Sequence, residues 1–221
     1  MSLDLRLYAL VDPDHAGGRD LAELALRVAK GGATIVQLRV KHGDTRAMVE
    51  RARALKAVLG PVSVPFVVND RVDVVLAAEA DGVHLGQEDM AVQDARRLLG
   101  RKAIIGLSIK TPAQAEAAPV DLLDYVGIGG VFATTSKNNP DPPIGTAGLA
   151  RIAEIFRRRA PKLPLCAIAG IDAGNAAGAV RAGADGVAVI SALSLAADPS
   201  AAARQLRAVL DKALAERRPA R

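Results

Sequence analysis

The chain has 221 residues, half of them hydrophobic, with two Tyr, three Phe, no Trp, one Cys and a formal net charge of +5. Such a length closes one large core of Ala, Val, Leu and Ile, whereas scattered Arg with few aromatics argues against a nucleic-acid interface. No apolar run reaches membrane-spanning length, charge within the first apolar stretch argues against a signal peptide, and the lone Cys166 fits a reducing cytoplasm.

In chain order, residues 5–11 read as a first buried strand, ended by Asp12-Pro13-Asp14. Asp20 is placed to cap a helix whose inner face carries Leu21, Leu24, Ala25 and Val28, and Gly31-Gly32 ends it. Residues 34–38 form the second strand and run into Arg39-Val40-Lys41. Asp44 or Thr45 opens a long helix that Gly60-Pro61 breaks. The third and fourth strands, 64–68 and 81–85, flank a short helix and must therefore be parallel. A helix over 90–99 precedes the fifth strand, 103–107, which ends in Ser108. Thr111-Pro112 opens the fifth helix, and 125–128 is the sixth strand. A polar loop spans 129–145, followed by a helix over 147–159 and the seventh strand, 165–169. A helix over 172–182, the eighth strand at 186–190 and a helix over 199–215 complete the chain, with 217–221 expected to fray.

Eight strands alternating with eight helices predict an α/β fold, a single (β/α)8 TIM barrel over residues 1–221. The alternative, an open doubly wound sheet, lacks a G-x-G-x-x-G after the first strand. In a barrel the chemistry sits beyond the carboxyl ends of the strands.

The chemistry-bearing residues fall at those ends. Gln37, Arg39 and Lys41 alternate along an extended run, so they share a face and suit an anionic, hydrogen-bonding ligand. Asp70 and Asp89 follow neighbouring strands, beside Asn69 and Gln87. Each could cap the next helix; together, without a His or Cys cluster, they suit a shared Mg²⁺. His84 lies within a strand and reads as a satisfied structural residue. Thr134, Thr135 and Ser136 beside Lys137 can wrap a phosphate. Gly170 after the seventh strand and Ile190-Ser191 after the eighth suit a phosphate on backbone N–H groups. A pyrophosphate ester at one end of the rim and a phosphate monoester at the other imply displacement of the pyrophosphate.

In order and spacing, Gln37-Leu-Arg39-Val-Lys41, Asn69-Asp70-Arg71, the run from Ala80 to Asp89, Gly106-Leu-Ser108, the run from Asp124 to Gly129, the run from Phe132 to Lys137, and Val189-Ile190-Ser191 resemble the thiamine-phosphate synthase family. The resemblance implies joining a hydroxymethylpyrimidine pyrophosphate to a thiazole phosphate. It implies Mg²⁺ on Asp70 and Asp89, with pyrophosphate on Arg39, Lys41, Asn69 and Lys137. Gln37 and Ser108 would then lie at the pyrimidine, and Thr134, Thr135, Ser136, Gly170, Ile190 and Ser191 at the thiazole phosphate. Lys137, Arg39 and Ser108 form the implied catalytic set. The partners would be small molecules, in the cytoplasm, and a homo-oligomer is compatible with this. The chain departs from the family at Gly130, where a proline is usual, and at Lys110, where a histidine is usual. A related thiazole tautomerase and a non-catalytic phosphate-ligand sensor on the same fold are the rival readings.

Overall fold

A computed structural model of the chain describes residues 3–134, 136 and 142–217. Among them, eight strands form a closed parallel barrel in sequence order. They are β1 (Leu7–Val11), β2 (Ile35–Leu38), β3 (Phe66–Asn69), β4 (Gly82–Leu85), β5 (Ile104–Ile109), β6 (Tyr125–Ile128), β7 (Leu165–Ile168) and β8 (Gly186–Val189). Pairing of Tyr8 with Ala188 closes β8 onto β1. The helices are α1 (Leu21–Lys30), α2 (Thr45–Leu59), α3 (Val72–Ala78), α4 (Val92–Leu99), α5 (Pro112–Ala117), α6 (Gly145–Arg159), α7 (Ala176–Arg181), α8 (Ser191–Ser194) and α9 (Pro199–Arg217).

Local chemistry starts several helices where the sequence placed them. Asp20 accepts from Glu23 N at 2.8 Å and Asp44 from Ala47 N at 2.9 Å. Thr111 and Gln114 make a reciprocal capping box, with Pro112 at the first helical position. Elsewhere the bounds move for identifiable reasons. Strand β5 runs on to Ile109, because β6 pairs with it as far as Ile128. Helix α7 starts at Ala176 rather than 172, since Asp172 Oδ1 accepts from Gly174 N at 2.8 Å and holds a turn. The four-residue α8 is an element that periodicity did not predict. Arg217, expected in a frayed tail, instead ends α9 and donates to Ala184 O at 2.6 Å and Asp185 Oδ1 at 2.8 Å.

Because side chains alternate along each strand, the barrel has two apolar layers. The larger lies between strands and helices, with Leu24, Leu55, Phe66 and Phe156 fully buried in it. The smaller fills the interior, with Tyr8, Ile35, Val67, Tyr125 and Cys166. Each large side chain buried this way contributes about 1.5–3 kcal/mol.

The residue before each even-numbered strand ties down the strand before it. Leu7 N donates to Thr34 Oγ1 at 3.2 Å, Phe66 N to Asp81 Oδ2 at 2.8 Å, Ile105 N to Asp124 Oδ2 at 2.8 Å and Leu165 N to Asp185 Oδ2 at 2.9 Å. Each of the three aspartates also pairs with a helix cation: Lys56 at 2.5 Å, Arg96 at 2.7 Å and Arg157 at 2.6 Å. The amino end of the barrel is thus given to stability, and the carboxyl rim is left for ligands.

Candidate active site

At the carboxyl rim a cavity of about 660 Å³ is bordered by Arg39, Lys41, Asn69, Asp70, Asp89 and Ser108, among others. Arg39 leaves β2 beside the end of β1, because Val11 pairs with Leu38. There it is buried and ion-paired with Asp12, which is wholly shielded from solvent. Asp12 also accepts from Asp14 N at 2.9 Å. Among the described residues Arg39 Nε has no hydrogen-bond partner, and neither does the buried Asn69 Nδ2. Both are donors in want of an acceptor at the wall of the cavity.

Lys41 Nζ lies 2.6 Å from Asp70 Oδ2. Asp70 follows β3 in the left-handed region, at φ 65°, a conformation that Asn and Asp tolerate better than most residues. Neither rim carboxylate caps the following helix. The N-cap residues of α3 and α4 are Arg71 and Ala91, without side-chain caps. Asp89 Oδ2 instead accepts from Gly86 N at 2.6 Å. Burial raises the pKa of Asp70; a hydrogen bond to Asp89 adds to the rise, and Lys41 opposes it. Two carboxylates within hydrogen-bonding reach of each other want a cation or proton between them. Among the described residues no three His, Cys, Asp or Glu gather. Two hard carboxylates match Mg²⁺, which completes its shell with water and ligand phosphate; this donor set fits the ion.

Ser108 borders the cavity, whereas Gln37 stands off its lining, in a void of about 10 Å³ shared with Tyr8, His84 and Gly127. Gln37 is buried on β2, its Oε1 without a hydrogen-bond partner among the described residues. Ser108 Oγ on β5 is 2.8 Å from His84 Nε2.

A recess of about 30 Å³ adjoins the cavity, sharing Ile168 and Ala169 with it. Thr134, Ser136, Gly170, Ile190 and Ser191 border it. Ser136 N donates to Thr134 Oγ1 at 3.1 Å. Gly170 sits at φ 63°, and a Cβ there would meet Ala133 O at 2.3 Å, so only glycine lets these two loops touch. Thr135 and Lys137 lie outside the described residues.

The structure therefore brings Arg39, Lys41, Asn69, Asp70, Asp89 and Ser108 to the border of one cavity with the recess residues beside it, whereas Gln37 does not border that cavity and lines a void of about 10 Å³ with Tyr8 and His84. Sequence reasoning missed Asp12, read only as a strand end. Its position just after β1 mirrors that of Arg39 just after β2, which was the available signal. It also passed over Tyr8 and Tyr125, which no spacing brings together. His84, expected to be satisfied, is bonded through both ring nitrogens.

A family profile described as "Thiamine monophosphate synthase" matches residues 7–193. The chain is 51% identical to a thiamine-phosphate synthase of Agrobacterium fabrum over 98% of this chain and 99% of that one. It is 47% identical to one of Moorella thermoacetica, over 94% and 96%. Among solved structures, a thiamine phosphate pyrophosphorylase from Pyrococcus furiosus superposes with a TM-score of 0.83 at 36% identity, covering 96% of this chain and 98% of that one. A Mycobacterium tuberculosis tryptophan synthase chain, at 15% identity and a TM-score of 0.70 over 94% and 93%, shares the fold alone.

Proposed function

The chain belongs to the thiamine monophosphate synthase family of transferases, and we propose that it makes thiamine phosphate by Mg²⁺-assisted displacement of pyrophosphate from a hydroxymethylpyrimidine pyrophosphate by a thiazole phosphate. One observation supports the site assignment: paired carboxylates, two rim cations and donors without a partner among the described residues border a cavity that shares Ile168 and Ala169 with a recess bordered by Gly170.

Asp70 and Asp89 would hold Mg²⁺, which supplies positive charge to the oxygens of the departing pyrophosphate. Arg39 Nε and Asn69 Nδ2 donate to the same oxygens, with Lys41 and Lys137 as further cations. Gln37 and Ser108 orient the pyrimidine, whose own amino group stabilises the cation forming at its methylene. Thr134, Thr135, Ser136, Gly170, Ile190 and Ser191 hold the thiazole phosphate so that the ring nitrogen faces that carbon. Lys137, Arg39 and Ser108 are the proposed catalytic contacts. No side chain has to take a proton, so positioning and charge stabilisation carry the rate. Among the described residues no helix is long and apolar enough to cross a membrane; the reading has the chain working on small molecules in the cytoplasm.

The test is to mix both substrates with and without Mg²⁺ and follow thiamine phosphate by mass spectrometry. Mg²⁺-dependent product is expected. Product at full rate in chelator would overturn the metal assignment, and binding without pyrophosphate release would favour a sensor.

A further inference from the structure

Beneath the cavity the barrel interior holds a continuous chain of polar groups. Gln37 Nε2 donates to the Tyr8 hydroxyl at 2.5 Å. The Tyr8 and Tyr125 hydroxyls are 2.7 Å apart. The Tyr125 hydroxyl is 2.9 Å from His84 Nδ1, and His84 Nε2 is 2.8 Å from Ser108 Oγ. The rings pack as well, Tyr8 edge-on to Tyr125 at 5.6 Å and His84 stacked on Tyr125 at 5.5 Å. Two glycines make the room. A Cβ at Gly106 would meet Tyr125 Cζ at 2.1 Å, and one at Gly127 would meet His84 Cε1 at 3.1 Å.

A direction follows from the donor inventory. Each phenol has one proton, and a neutral imidazole donates through one nitrogen and accepts through the other. Burial raises the pKa of both tyrosines, so both keep their protons. The Gln37 Nε2 group donates to the Tyr8 oxygen and cannot accept from it, so the Tyr8 proton has the Tyr125 oxygen as its acceptor. The Tyr125 proton then goes to His84 Nδ1. His84 carries its own proton on Nε2 and donates to Ser108 Oγ. The Ser108 proton is left for the cavity. At the opposite end the buried Gln37 Oε1, without a partner among the described residues, is left as an acceptor beside a void of about 10 Å³ whose lining residues His84, Gly127 and Ile168 also border the cavity.

We propose that Tyr8, Tyr125 and His84 are positioning residues whose one-way hydrogen-bond chain sets Gln37 as the acceptor and Ser108 as the donor of the pyrimidine subsite. The proposal rests on the reading that Gln37 and Ser108 face the pyrimidine. The matching ring carries an exocyclic amine for Gln37 and an unprotonated ring nitrogen for Ser108, as a 4-aminopyrimidine does. A 4-oxopyrimidine puts a carbonyl in place of the amine. To receive it, the amide would flip, two phenol protons would turn and the imidazole would change tautomer, all together. Neither end adapts alone, and that coupling is the source of selectivity.

The experiment compares kcat/KM for the 4-aminopyrimidine pyrophosphate and its 4-oxo analogue in the wild type and in Tyr125→Phe, Tyr8→Phe and Gln37→Ala. The intrinsic reactivities of the two compounds are the same in every variant and cancel in the comparison. Tyr125→Phe cuts the chain in its middle and Tyr8→Phe next to Gln37; if one does not fold, the other carries the test. Each is expected to lower the amino-to-oxo ratio by about tenfold or more. Inhibition by pyrophosphate, which sits elsewhere in the cavity, is expected to stay within about twofold of wild type. An unchanged ratio in the Phe variants, with a collapse in Gln37→Ala, overturns the chain and leaves the pyrimidine reading standing. An unchanged ratio in Gln37→Ala overturns that reading, and the proposal with it.

Discussion

Lys41 Nζ lies 2.6 Å from Asp70 Oδ2, so a rim cation on one strand end holds a rim carboxylate on the next. The contact leaves Asp70 beside Asp89 with its negative charge only partly offset. Asp70→Asn is therefore expected to be neutral for folding, since Asn tolerates the same left-handed backbone and ends the repulsion. Its turnover is expected to fall by about 100-fold or more, as does that of Asp89→Ala, through loss of a metal ligand. Turnover against Mg²⁺ concentration, beside a thermal melt, reads both effects. Wild-type turnover in either variant at limiting Mg²⁺ would remove the metal assignment.

Asp12 and Arg39 form a buried pair whose side chains are 0% and 10% exposed. Removing one member leaves the other charge uncompensated. Asp12→Ala is expected to cost about 3–5 kcal/mol of stability. The double variant Asp12→Ala with Arg39→Met should recover part of that in urea unfolding. If single and double variants lose the same stability, the pair does not act as a unit.

Asp185 supports three partners at the amino end of the barrel: Leu165 N, Arg157 and Arg217. Asp185→Ala is expected to destabilise the fold by about 1–3 kcal/mol through the unsatisfied Leu165 N–H. The folded fraction should keep wild-type kcat and KM, because the rim lies at the other end. Amide exchange at Leu165 should quicken with the drop in denaturation midpoint. A kinetic defect without a stability defect would contradict this division of labour.

Gly170→Ala forces a side chain into the left-handed region and a Cβ to 2.3 Å from Ala133 O. The loop carrying Thr134 must move, at a cost of about 1–3 kcal/mol. The KM for thiazole phosphate is expected to rise by about tenfold or more, with little change in the KM for the pyrimidine pyrophosphate. Equal rises in both would place Gly170 outside the phosphate recess.

Much of this molecule is legible one segment at a time. Period-two alternation put Gln37, Arg39 and Lys41 on one face. Two short runs around a short helix made β3 and β4 parallel, with Asp70 and Asp89 at the same rim. Caps at Asp20, Asp44 and Thr111 were readable because a cap is a contact over three residues. The four-residue α8 escaped because Ser-Ala-Leu-Ser is too short to show a period.

The order and type of the strands, and hence the barrel and its reactive rim, were already determined by the sequence, since hydrophobic period and turn chemistry are local. Which groups meet inside was decided only by closure. Tyr8 and Tyr125 stand 117 positions apart, and only a ring of eight strands turns both hydroxyls to one point. Asp12 reads as a turn residue until β1 lies beside β2, where it becomes the buried partner of Arg39. Hydrogen bonds and ion pairs act over a few ångströms, so their partners are chosen by the closed barrel and leave no period in the chain.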